Sequence, residues 1–107
     1  MIRATTPTHI FTFPETVAPA DCAEIQITYA QGEKSCHRYE RIILEKNKSD
    51  LTITGQKAEL KLTQQEMNLF SEGTAQIQIR AKDTDGNVMA SQIFYVKVKR
   101  VLNQEVL

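Results

Sequence analysis

Alternation of apolar and polar residues runs through most of this chain, and it is the period of a strand with one face buried and the other in water. Glu24-Ile25-Gln26-Ile27-Thr28-Tyr29 puts Ile25, Ile27 and Tyr29 on one side. Thr74 to Ala81 does the same with Ala75, Ile77, Ile79 and Ala81. Near the start, His9-Ile10-Phe11-Thr12-Phe13 places Phe11 and Phe13 together, and Pro14 then removes a backbone donor, which predicts an edge strand. Further strands are expected over Cys36 to Glu45, Leu51 to Thr54 and Ala58 to Leu62, with a last one running from Val88 through Val98.

The breaks between these runs carry turn chemistry. Gln31-Gly32-Glu33-Lys34 predicts a hairpin turn, Asn47-Lys48-Ser49-Asp50 a break, and Asp83-Thr84-Asp85-Gly86-Asn87 a tight reversal. Pro19 to Cys22 suits one helical turn. The best helix signal is Thr63-Gln64-Gln65-Glu66, whose ends have capping-box spacing, with Met67 and Phe70 placed to plug one end of a core. About seven strands with turns every 8–12 residues or so predict a single domain over residues 1–107: an all-β, immunoglobulin-like antiparallel sandwich with one short helical turn. A small barrel is the structural rival.

Charge and chemistry narrow the function. Lys and Arg number 13 and so do Asp and Glu, which removes the basic excess of a general nucleic-acid or anionic-membrane binder. No run approaches the ~20 apolar residues that span a bilayer, and the N-terminal stretch has no secretory pattern. The expectation is synthesis in the cytoplasm, with Cys22 and Cys36 as free thiols.

Neither His9 nor His37 belongs to a zinc-catalysis pattern, and Cys36 beside His37 on a strand would point to the opposite face. Asp83, Asp85 and Asn87 resemble the start of a calcium loop, but no glutamate completes it. Lys46 and Lys48, with Lys97, Lys99 and Arg100, offer a basic patch diluted by Glu40, Glu45 and Glu59. No catalytic set, cofactor or metal site emerges, so the expectation is a protein that binds or assembles.

The stretch from Met1 to Pro14, the central Leu62-Thr63-Gln64-Gln65-Glu66 and the closing Val98 to Leu107 resemble small proteins encoded in phages and prophages of Gram-positive bacteria. The resemblance spans the chain. Those proteins are similar to the immunoglobulin-like domains of phage tails and baseplates, including the N-terminal module of baseplate upper proteins. The resemblance implies a virion or assembly component, with other phage structural proteins or a second copy as partner. It carries no functional residues with it.

The residues expected to make contacts are those of the outer strands and tail: Ile10, Phe11 and Phe13 at the start, Tyr95, Lys97 and Lys99 in the last strand, and Val101 and Leu102 beyond it. A host-surface carbohydrate-recognition module is the alternative, weakened by the absence of Trp and by having only Tyr29, Tyr39 and Tyr95 as tyrosines.

Overall fold

The computed structural model describes the backbone of residues 1–33, 36–103, 105 and 107, and their side chains apart from those of 33–40. Its strands are β1 (Thr8–Thr12), β2 (Glu24–Glu33), β3 (Cys36–Asn47), β4 (Thr52–Thr54), β5 (Lys57–Lys61), β6 (Gly73–Lys82), β7 (Val88–Ala90) and β8 (Phe94–Val98). A single helical turn, α1 (Gln64–Met67), joins β5 to β6, and short 3-10 turns occupy Pro19–Asp21 and Lys48–Asp50.

Two antiparallel sheets form a β-sandwich. One has the order β1-β5-β4; in the other, β3, β2 and β6 lie side by side, and both β7 and β8 pair with the far edge of β6. In an immunoglobulin-type sandwich, strands A, B, E and D make one sheet and C, F and G the other, with C′ added in the variable type. Here β1-β5-β4 corresponds to B-E-D, and β3-β2-β6-β8 to C′-C-F-G. Among the described residues no strand pairs with the other edge of β1, where strand A would lie. Residues 1–3 run along the end of β8 instead, with Ile2 opposite Lys99 in a parallel bridge. Ala4, at φ 59°, makes the left-handed reversal that leads back to β1.

The expected alternation builds the core. Ile25, Ile27 and Tyr29 of β2 and Ala75, Ile77, Ile79 and Ala81 of β6 face Ala58 and Leu60 of β5, all buried. Thr63 caps α1 as its spacing predicts: its hydroxyl accepts from the Glu66 amide at 3.1 Å, and the Glu66 carboxylate accepts from the Thr63 amide at 3.0 Å. The turn drives Met67 and Phe70 into the end of the sandwich, 0% and 1% exposed. Thr63→Ala is expected to cost about 1 kcal/mol of unfolding free energy. Urea denaturation reads this directly, and an unchanged midpoint would show that the cap contributes nothing.

Two expectations are corrected. The final run is two strands, because one extra residue is absorbed between them. Ser91 satisfies both backbone groups of Ile79, its amide donating to the carbonyl at 2.8 Å and its hydroxyl oxygen accepting from the amide at 3.0 Å. Pairing then resumes one residue out of step, from Ala90 opposite Arg80 to Phe94 opposite Ile77. Such a bulge changes which parity faces inward. The described residues therefore form eight strands.

The second correction concerns Gln31, expected in a turn. β2 extends through it, and the inward period that carries Ile25, Ile27 and Tyr29 leaves Gln31 buried as well.

Candidate functional site

The feature that stands out is a groove of about 680 Å³ on the open side of the sandwich, between β1 of one sheet and β6, β7 and β8 of the other. Its walls are apolar: Phe11 and Phe13 from β1 and its end, Ile77 and Ile79 from β6, and Phe94 and Val96 from β8. Met89 joins them because the bulge at Ser91 brings an odd-numbered residue of β7 and the even-numbered residues of β8 to one face. On the rims, Ile10 is 57% exposed, Met89 38% and Phe94 39%.

Backbone groups line the same opening. Phe13 donates to the Gln56 carbonyl at 2.7 Å and Leu62 to the Pro7 carbonyl at 3.0 Å, which sets the phase of the β1–β5 ladder. By that alternation the amides and carbonyls of Thr8, Ile10 and Thr12 point away from β5, into solvent. Residues 1–3 cover one end of the opposite edge. The Met1 ammonium donates to the Lys97 carbonyl at 2.7 Å, and Lys99 exchanges bonds with Met1 and Arg3.

Of the residues expected to make contacts, Phe11 and Phe13 face the groove, while Ile10 alternates with them on β1 and stands exposed at its rim. Tyr95 and Lys97 alternate with Phe94 and Val96 and stand on the outer face of β8, where Tyr95 is 66% exposed. Lys99 follows the strand and is exposed, with its backbone tied to residues 1–3. Val101 is half-buried, and Leu102 is fully exposed beyond the sheet. Alternation along the sequence does not put Met89 on the same wall as Phe94 and Val96. Only the bulge, which has no strong local signature, puts them on one wall.

Beneath the groove, His9 Nδ1 lies 2.7 Å from the Tyr29 hydroxyl, the rings stacked with centroids 5.7 Å apart. Burial, with the N-terminal ammonium adding, holds the His9 imidazole below its ordinary 6.5. Burial, with Glu66 adding, pushes the Tyr29 phenol well up. A neutral imidazole is thus built into the wall. Because the folded state binds fewer protons at His9 than the unfolded chain, its contribution to stability is complete above pH 6.5 and is lost as pH falls from there through the folded pKa. The expected result is a urea midpoint that drops between about pH 7.5 and about pH 5.5, and a smaller drop in His9→Gln. Equal drops in both proteins would exclude His9 as the source.

Elsewhere Asp83, Lys46 and Lys48 are engaged within the fold. The Asp83 carboxylate accepts from the amides of Asn87 and Asp85, both at 2.9 Å, and its pKa is lowered chiefly by the Asn87 amide. It acts as the organiser of a hairpin turn. Among the described residues, no three of His, Cys, Asp and Glu gather into a metal-binding group.

Lys46 pairs with Glu66, and Lys48 donates to the Ala20 and Cys22 carbonyls at 2.9 and 2.7 Å. They lie at the β3 side of the large sheet while Lys97 and Lys99 lie at the β8 side, so the basic residues do not form one patch. Cys22 is a buried free thiol, pushed up by burial. The side chains of Cys36 and His37 lie outside the described residues. No helix among the described residues is long and apolar enough to cross a membrane.

No protein-family model, curated protein or solved structure matches the chain.

Proposed function

We propose that this chain is a phage or prophage structural or accessory protein that acts in tail or baseplate assembly through protein–protein contacts, without catalysis. The observation that carries the contact reading is the apolar groove flanked by a strand with outward-facing, unpaired backbone groups. Such a combination suits an added strand: main-chain bonds supply affinity, and alternate side chains enter the apolar slot. The phage setting rests on the likeness of the Met1–Pro14, Leu62–Glu66 and Val98–Leu107 stretches to prophage proteins. The protein is made in the host cytoplasm and passes into the particle.

Fractionation of an induced lysogen carrying a tagged copy tests this. The tag is expected to sediment with tail or baseplate particles, and retention in the soluble fraction throughout the lytic cycle would refute the assembly role. A coding region among tail genes is the expected neighbourhood, whereas one beside lysis or regulatory genes counts against it. Carbohydrate recognition has little support: Tyr95 is well exposed, but it stands next to Lys97 on its strand face and not in an aromatic platform. Glycan-array binding is expected to be absent.

A further inference from the structure

We propose that the occupant of the β1 edge is β1 of a second copy, paired antiparallel about a two-fold axis at Ile10. This rests on the protein-contact reading and names the partner. The edge strand Thr8-His9-Ile10-Phe11-Thr12 carries no charge. Exposed edges are ordinarily blunted by lysines, prolines or bulges. The other long edge, β3, carries Arg41, Glu45 and Lys46, and β8 carries Lys97 together with the N-terminal segment laid across its end.

The strand is also self-complementary. With Ile10 opposite Ile10 of the second copy, Thr8 falls opposite Thr12 and Thr12 opposite Thr8, so each outward amide meets an outward carbonyl. Pro14 ends the row of outward donors on one side, so moving the axis along the strand leaves donors or acceptors unmatched. The facing side chains become Thr–Thr and Ile–Ile pairs, which favour a sheet.

The second copy takes the place that strand A holds in other sandwiches, and the two small sheets join into one. The two-fold turns each groove toward the other, so Met89 and Phe94 at the rims lose water together. Equal numbers of basic and acidic residues leave no net charge to hold the copies apart.

The test is the mass of the full chain across a concentration series by size-exclusion chromatography with light scattering. The wild type is expected to be dimeric. Ile10→Lys and Ile10→Glu each place like charges face to face on the axis, so each is expected to run as a monomer, its dissociation constant raised about 100-fold or more. An equimolar mixture of the two variants is expected to recover the dimer, as a contact of residue 10 with itself requires.

Amide exchange on the wild type reads the same contact without any substitution: Thr8, Ile10 and Thr12 amides are expected to slow as concentration rises. A wild-type mass of one chain throughout the series overturns the proposal, as does a dimer indifferent to both variants or a mixture that stays monomeric. A monomer that still sediments with tail particles would leave the assembly reading standing while this one falls; a β1 dimer absent from particles would do the reverse.

Discussion

Phe70→Ala is expected to lower the unfolding free energy by about 3–5 kcal/mol, the range for deleting a fully buried aromatic ring. The ring is 1% exposed at the end of the sandwich and meets Tyr29 edge-on, with centroids 5.8 Å apart and planes at 74°. An aromatic pair of this kind adds roughly 0.5–1.5 kcal/mol beyond its burial. Small domains have about 5–15 kcal/mol in total, so the variant should sit near the limit of folding. Its neighbour Leu69 is 52% exposed, and Leu69→Ala should move the midpoint by less than about 0.5 kcal/mol. Urea unfolding of the two variants side by side makes the comparison. Similar midpoints would mean that α1 does not plug the core as its packing indicates.

Gln31→Leu should cost about 1–3 kcal/mol although it replaces a buried polar residue by an apolar one of similar size. Gln31 is 7% exposed and uses both ends of its amide on one residue: Nε2 donates to the Ser71 carbonyl at 2.8 Å, and Oε1 accepts from the Ser71 amide at 2.7 Å. The side chain thereby acts as a piece of strand backbone for the segment between α1 and β6. Leucine would fill the space and leave both Ser71 groups without a protein partner. A variant as stable as the wild type, or more so, would show that water replaces these bonds at no cost.

Together these side chains close one end of the sandwich while its long side stays open. Phe70, Met67 and Gln31 seal the end near α1, whereas no strand among the described residues pairs with β1 where strand A would lie. The contrast places the candidate interface on an edge and its adjoining groove, and it explains why the exposed apolar residues Ile10, Met89 and Phe94 gather there. Single exposed apolar residues are ordinary, but a cluster around an unpaired edge marks a contact surface.

Much of this architecture is legible along the chain because its causes are local. A two-residue period specifies which side of β2 and β6 is buried whatever the partner strand is, so Ile25, Ile27, Ile77 and Ile79 announce themselves. Thr63 with Glu66 and Asp83 with Asn87 make bonds across a few residues, so spacing alone identifies them. The groove has no such local cause. It depends on β1 lying at a sheet edge, on residues 1–3 going to β8 instead of beside β1, and on the bulge that turns Met89 and Phe94 to the same wall.

His9 and Gln31 show the same division. Their partners, Tyr29 and Ser71, are 20 and 40 residues away, and no spacing rule connects them. The sequence by itself determined most of the strands, the buried faces of β2 and β6, the Thr63 cap and the Asp83–Asn87 turn, because these follow from interactions between near neighbours. Only the tertiary structure decided which edge was left unpaired and what faced it, because pairing and register arise from contacts between segments far apart in the chain.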